Sequence, residues 1–241
     1  MSANLLDPSS VGGRLPGPGP AAAPPRRRAP AAGSAMVVGA VCLAVAEALH
    51  VEVGGEWTVT ALLESFAAHP GRWTTWAVLL MATGPLLLPG VLAWWRLARE
   101  RGGRGRSLTT AGTVVTVASL VAMVGFGASH ADGVALVGGV TPVAGALVEG
   151  YERAESSSPG LLATSGATVL GFHLGVPLLL GGLVRARLVR PWLGVVGGAA
   201  AVAALVVGDL SWVLGAVAFA VVAGVLGVLG VRLWSRGPAS S

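Results

Sequence analysis

Long apolar stretches of about 20 residues, almost free of charge, recur along this chain and constrain its fold more than any other feature. A soluble helix or strand alternates polar and apolar positions with a period of about 3.6 or 2; these blocks do neither. Only 11% of the 241 residues are charged and the mean hydropathy is +0.75. Soluble domains carry about 25% charged residues. A β-barrel would instead show short segments alternating at every second residue. The fold class expected is therefore all-α, a polytopic bundle of transmembrane helices.

Uninterrupted apolar length predicts six spans, at about 33–51, 73–95, 107–130, 159–184, 191–208 and 211–234. Together they make a membrane domain over residues 33–234. Residues 1–32, rich in Pro, Gly, Ala and Arg, cannot bury enough apolar surface to offset the entropy of ordering and are expected to be disordered. They do not resemble a signal peptide, because the apolar run after Arg28 is long enough to span and no short h-region with a cleavage site follows. Residues 235–241 form a short tail.

The charges give the orientation. All 16 basic residues are arginine, a bias that fits a GC-rich coding sequence. Arg14, Arg26–Arg28, the Arg96–Arg106 group, Arg185, Arg187, Arg190, Arg232 and Arg236 fall on one side of a six-span layout. Only Arg72 and Arg153 fall on the other. By the positive-inside rule the arginine side, with both termini, is expected to be cytoplasmic. The same placement argues against nucleic acid as the partner of this basic chain; its medium is a lipid bilayer, the plasma membrane. Glu52, Glu56, Glu64, Asp132, Glu149, Glu152, Glu155 and Asp209 gather on the outer side. Trp73 and Trp76 at one end of the second span, and Trp94 and Trp95 at the other, are expected as interfacial belts.

Two outer loops have room for structure. Val59, Leu62, Leu63 and Phe66 recur at helical spacing and predict a short amphipathic helix, stopped by His69-Pro70, which either lies on the membrane or caps the bundle. Residues 131–158 are apolar but broken by Gly138, Gly139 and Pro142, as in an interfacial or re-entrant segment.

Ionisable groups at membrane depth are costly and are therefore the places to look for chemistry. Glu47 and His50, three residues apart on one helix face, lie near the outer end of the first span. His130 and Asp132 close the third, and His69 lies between. Glu47, His50 and His130 are candidate metal ligands, since imidazole suits Zn, Cu or Fe. The alternative is that all snorkel to water. No cofactor signature is present: HExxH is absent, and a single cysteine, Cys42, excludes a CxxC thiolate site and an internal disulfide. His173 stands near the middle of the fourth span, four residues before Pro177, which cannot donate to the His173 carbonyl. That combination is either a polar pocket for a proton, haem or quinone, or a neutral histidine bonded to a neighbouring helix. Pro85 and Pro89 are expected to bend the second span. Gly194, Gly197, Gly198, Gly224, Gly227 and Gly230 are small residues suited to close helix packing.

Walker A, GxSxG and Asp-rich diphosphate motifs are all missing, which disfavours an ATPase, a serine hydrolase and a prenyl-diphosphate enzyme. Ala67-Ala68-His69-Pro70-Gly71-Arg72-Trp73, Leu88-Pro89-Gly90 running to Trp95-Arg96-Leu97, and Arg185 to Trp192 carry a resemblance. Over residues 33–236 the layout resembles uncharacterised multi-pass membrane proteins of actinobacteria. The resemblance implies the fold, and no activity. Three function classes follow: a non-catalytic accessory or structural component, favoured here; a small transporter or proton-coupled permease using His173 and Glu47; and a metal- or haem-dependent enzyme with an outward-facing site. Protein partners, including further copies of the chain, are left open.

Overall fold

The computed structural model describes residues 28–51, 53, 58–138, 142–207 and 211–235. It contains α1 (Arg28–Leu49), α2 (Val59–Ala68), α3 (Pro70–Arg101), α4 (Arg106–Val137), α5 (Gly145–Ser157), α6 (Pro159–Arg185), α7 (Pro191–Val207) and α8 (Trp212–Trp234), with no strand among the described residues. Residues 1–27 of the expected tail, Glu52, Glu56, Asp209 and residues 236–241 lie outside the described residues.

Each expected span has a helix, and α3, α4 and the start of α1 extend beyond the apolar blocks. Five of them (α1, α3, α4, α6 and α8) are long and apolar enough to cross a membrane. α7, the counterpart of the fifth expected span, is apolar but has 17 residues. α1 begins at Arg28, not near Gly33; Pro30 falls in its first turn, where a missing N–H breaks no helical bond. α3 and α4 have 32 residues each, which is about 48 Å against a hydrocarbon core of about 30 Å. α4 passes through His130 and Asp132 to Val137. Polar residues mark where a helix leaves lipid; they do not oblige it to stop. α3 likewise runs on as α-helix through Pro85 and Pro89.

The six long helices close into a ring, in the order α1, α3, α4, α6, α7, α8 and back to α1. Neighbours run antiparallel throughout. The start of α1 meets the end of α8 (Gly33 against Gly230 and Trp234), and its middle meets the later half of α3 (Met36 at Gly90). α4 and α6 cross with Gly105 near Gly182 at one end and Gly125 near Thr164 at the other. Gly197 of α7 sits against Leu180 of α6 and Val225 of α8. Strict alternation gathers the α1 N-terminus, the α3–α4 turn, the α6–α7 turn and the end of α8 at one end of the bundle. That end holds the arginines, and the Arg101 guanidinium reaches across it to donate to the Arg187 carbonyl (3.3 Å). α2 and α5 cover the opposite end, where α4 overhangs.

Helices gain no hydrophobic drive toward one another inside lipid, so van der Waals fit decides which faces meet. The closest seam joins α4 to α6. A Cβ added at Gly175 would lie 2.6 Å from the Thr116 amide nitrogen, and one at Gly112 would overlap the Leu179 backbone. Thr109, Thr116 and Ser119 line this seam, all buried. The Ser119 hydroxyl crosses it to donate to the Thr168 carbonyl (2.9 Å). Of the glycines singled out above, Gly230, Gly194 and Gly197 sit at close crossings, whereas Gly224 faces open space.

Candidate functional site

The residues with the most chemistry converge at the end of the bundle opposite the arginines. The local sequence builds that end as a lid. The Thr58 hydroxyl caps α2 by accepting from the Ala61 amide (3.1 Å). Four residues on one face of α2 (Leu62, Leu63, Phe66 and Ala67) are buried, so the helix caps the bundle and does not lie out on the membrane. His69 ends α2, and Pro70 opens α3 at a position where its missing N–H is harmless. This tight join drives Trp73 and Trp76 beneath the lid.

The two tryptophans correct the sequence reading. They are not an interfacial belt: Trp73 is 0% and Trp76 4% exposed, and Trp94 at the other end is also buried. Trp73 donates from Nε1 to the Ser65 hydroxyl (2.9 Å), which satisfies its polar atom within protein. Around the pair stand Phe66, Phe126, His50 and His130. Centroid separations run from 4.4 Å (Phe126–His130) to 6.1 Å (Trp76–Phe126), most of them edge-on or tilted. The Trp76 indole N–H is buried with no hydrogen-bond partner among the described residues.

His50 and His130 both pack against Trp76 (5.6 and 5.0 Å between centroids). Their setting is aromatic, however. His130 Nδ1 lies 2.9 Å from the Phe126 carbonyl, one turn back on its own helix. A carbonyl only accepts, so this bond places the proton on Nδ1 and leaves Nε2 as an acceptor. Glu47 is partly buried on α1 and has no hydrogen bond or ion pair to any described residue. His69 and Asp132 are exposed. No three His, Cys, Asp or Glu side chains among the described residues are grouped so as to hold a metal ion.

Arg72, an exception to the arginine asymmetry, has a local role. Its Nε donates to the Leu49 carbonyl (2.8 Å) and its Nη2 to the His50 carbonyl (3.2 Å), so it caps the C-terminal end of α1 where a cation is favoured. It also acts on His50. Burial foremost, then the neighbouring His130 and the Arg72 guanidinium, push the His50 pKa from 6.5 down to about 4. His50 is therefore neutral at pH 7. Between these two values the unfolded chain binds a proton that the folded protein refuses, so stability falls as the pH drops. Thermal unfolding in detergent is expected to show a loss of about 2 kcal/mol from this group between pH 7 and pH 4, after allowance for its partial exposure. His50→Gln is expected to flatten that part of the curve. Identical pH slopes for both proteins would show that His50 is solvated.

His173 is buried between α6, α7 and α8. Its Nδ1 lies 2.6 Å from the Ala201 carbonyl of α7, and its ring packs edge-on against Phe172 (5.9 Å between centroids) and tilted against Phe219 (5.4 Å). Of the two expectations, the histidine bonded to the backbone of a neighbouring helix is the one that the geometry matches. The buried hydroxyls of Thr113, Thr116 and Thr168 have no hydrogen-bond partner among the described residues. The α4–α6 seam is closely packed at Gly112 and Gly175.

The structure also shows what the sequence reading missed. The α4–α6 seam was legible in principle as small residues Gly171, Gly175 and Gly182 on α6, which face Ser119, Thr116 and Thr109 on α4. Arg72 as a cap could not be read, because its partners are carbonyls 22 and 23 residues away. No protein-family model, curated protein or solved structure matches this chain.

Proposed function

We propose that the chain is a non-catalytic component of the plasma membrane, an accessory or structural unit that crosses the bilayer six times with both termini in the cytoplasm. One observation carries the reading. His130 directs Nδ1 to the Phe126 carbonyl of its own helix and His173 directs its Nδ1 to the Ala201 carbonyl of α7, and aromatic rings pack against both, so each imidazole is held by packing and a backbone bond. A metal enzyme needs ligands that converge, and a permease needs a polar path beside its titratable group. The gathering of arginines at one end of an antiparallel bundle supports a cytoplasmic assignment for that end. The antiparallel run of α7 against both neighbours supports a sixth crossing; its 17 residues span about 25 Å, a shortfall that local thinning of the bilayer accommodates. The all-arginine basic set fits membership of an actinobacterial membrane family.

Two measurements on purified protein test the proposal. Elemental analysis is expected to find Fe, Cu and Zn far below one equivalent, in the wild type and in His50→Ala/His130→Ala alike. Near-stoichiometric metal that the double variant loses would replace the proposal with an outward-facing metal site. In proteoliposomes an imposed pH gradient is expected to decay as slowly as in empty vesicles. Faster decay, abolished by His173→Gln, would establish a permease instead.

A further inference from the structure

The arginine-bearing end holds a groove that the aromatic lid and His173 do not explain. It lies beside the turn between α3 and α4, is a broad open depression of about 820 Å³, and runs between Trp95 and Arg99 on one side and Arg106, Ser107, Thr110 and Ala111 on the other. Its walls are held in place. The Trp95 indole N–H donates to the Thr110 hydroxyl (3.2 Å), tying α3 to α4. The Arg99 guanidinium stacks over the Trp95 ring at 4.9 Å, which restricts a side chain that would otherwise sample many rotamers. Arg106 is the first residue of α4, and Gly105 before it provides no side-chain cap, so the first-turn amides beside the groove lack intrahelical acceptors. Two guanidinium groups, a hydroxyl and open amides together match a phosphate.

We propose that this groove binds the phosphate headgroup of an anionic glycerophospholipid. The surroundings select a lipid over a soluble phosphate. Below the groove α4 presents Ala111, Val114, Ala118 and Val121, all exposed, along one helical stripe where acyl chains would lie. Val114 and Val121 are 62% and 63% exposed, which suits lipid contact and not water. Trp95, half-buried beside the charges, sits where tryptophan marks the boundary between headgroups and hydrocarbon. Arg99 and Arg106 take the phosphate, Ser107 donates to one of its oxygens, and Trp95 packs on the glycerol backbone. Basic pockets between membrane helices hold anionic headgroups by this chemistry, and each arginine near the surface adds measurably to the affinity.

Native mass spectrometry of the full chain in an uncharged detergent tests this, with dioleoyl-phosphatidylglycerol, dioleoyl-phosphatidylcholine and inorganic phosphate titrated separately. One phosphatidylglycerol is expected to bind ahead of any phosphatidylcholine, and Arg99→Gln/Arg106→Gln is expected to weaken it roughly thirtyfold. Arg185→Gln/Arg190→Gln, at the same end but outside the groove, is expected to leave that first lipid in place. Ser107→Glu provides an independent check, since a carboxylate there repels phosphate while suiting a helix N-terminus; it is expected to lose the lipid too. Equal loss in both arginine pairs would overturn the proposal in favour of diffuse surface charge. Inorganic phosphate competing at matched concentration would overturn the lipid as its source.

Discussion

Gly112→Leu is expected to prevent the bundle from assembling, whereas Gly224→Leu on a lipid-facing surface is expected to leave it intact. At Gly112 a single added carbon already overlaps the Leu179 backbone, and backbone in a continuous helix cannot step aside as a side-chain tip can. The two helices would have to move apart along the seam that holds Thr109, Thr116, Gly175 and the Ser119–Thr168 bond. In lipid no hydrophobic drive compensates for lost fit, so the loss of contact is felt in full. Overpacking typically costs about 1–3 kcal/mol when neighbours can adjust. Here they cannot, and the expected result is aggregation on detergent extraction. At Gly224 nothing lies within 4 Å of an added Cβ. Size-exclusion profiles of the two variants check the contrast; a monodisperse Gly112→Leu would mean that α4 and α6 are held loosely.

Trp73→Ala is the second large effect, expected to lower stability by about 3–5 kcal/mol. The ring is fully buried and touches Phe66, Trp76, His50 and His130, so its removal leaves a cavity bounded by four other rings. The Ser65 hydroxyl loses its donor as well. Trp73→Phe is expected to recover most of the packing and none of that hydrogen bond. The contrast with a belt role is sharp: an interfacial tryptophan truncated to alanine would barely move the unfolding temperature. Thermal unfolding of the three proteins in one detergent decides between them.

The same residue shows why part of the lid was hidden from the sequence. Hydropathy and the arginine asymmetry report how a residue relates to lipid and water, because each depends only on the local segment and its charge. Trp73 and Trp76 satisfy the statistics of an interface, and they do lie at the end of a span. That α2 folds back over them depends on how the His69-Pro70 join aims one helix at another. The α2 helix itself was legible, since its repeat of Val59, Leu62, Leu63 and Phe66 is local; which surface it would cover was not.

The candidate site was legible to a similar degree. Glu47, His50, His130 and His173 stand out in any apolar segment, and two of the three proposed ligands do share one cluster. Whether such groups bind a metal, open to water or fasten helices depends on what the ring nitrogens face. His130 faces a carbonyl on its own helix and His173 one on α7. Neither partner is marked by residue type, because every residue carries the same carbonyl.

Sequence alone therefore determined the medium of this protein and its helical class. Each of these follows from transfer energies summed along the chain. Tertiary structure decided the closed ring, the α4–α6 seam, the buried tryptophans, the cap that Arg72 places on α1, and the groove beside Trp95. These depend on shape and direction at contacts between residues far apart in sequence, where a one-carbon difference or the aim of one N–H outweighs hydrophobicity.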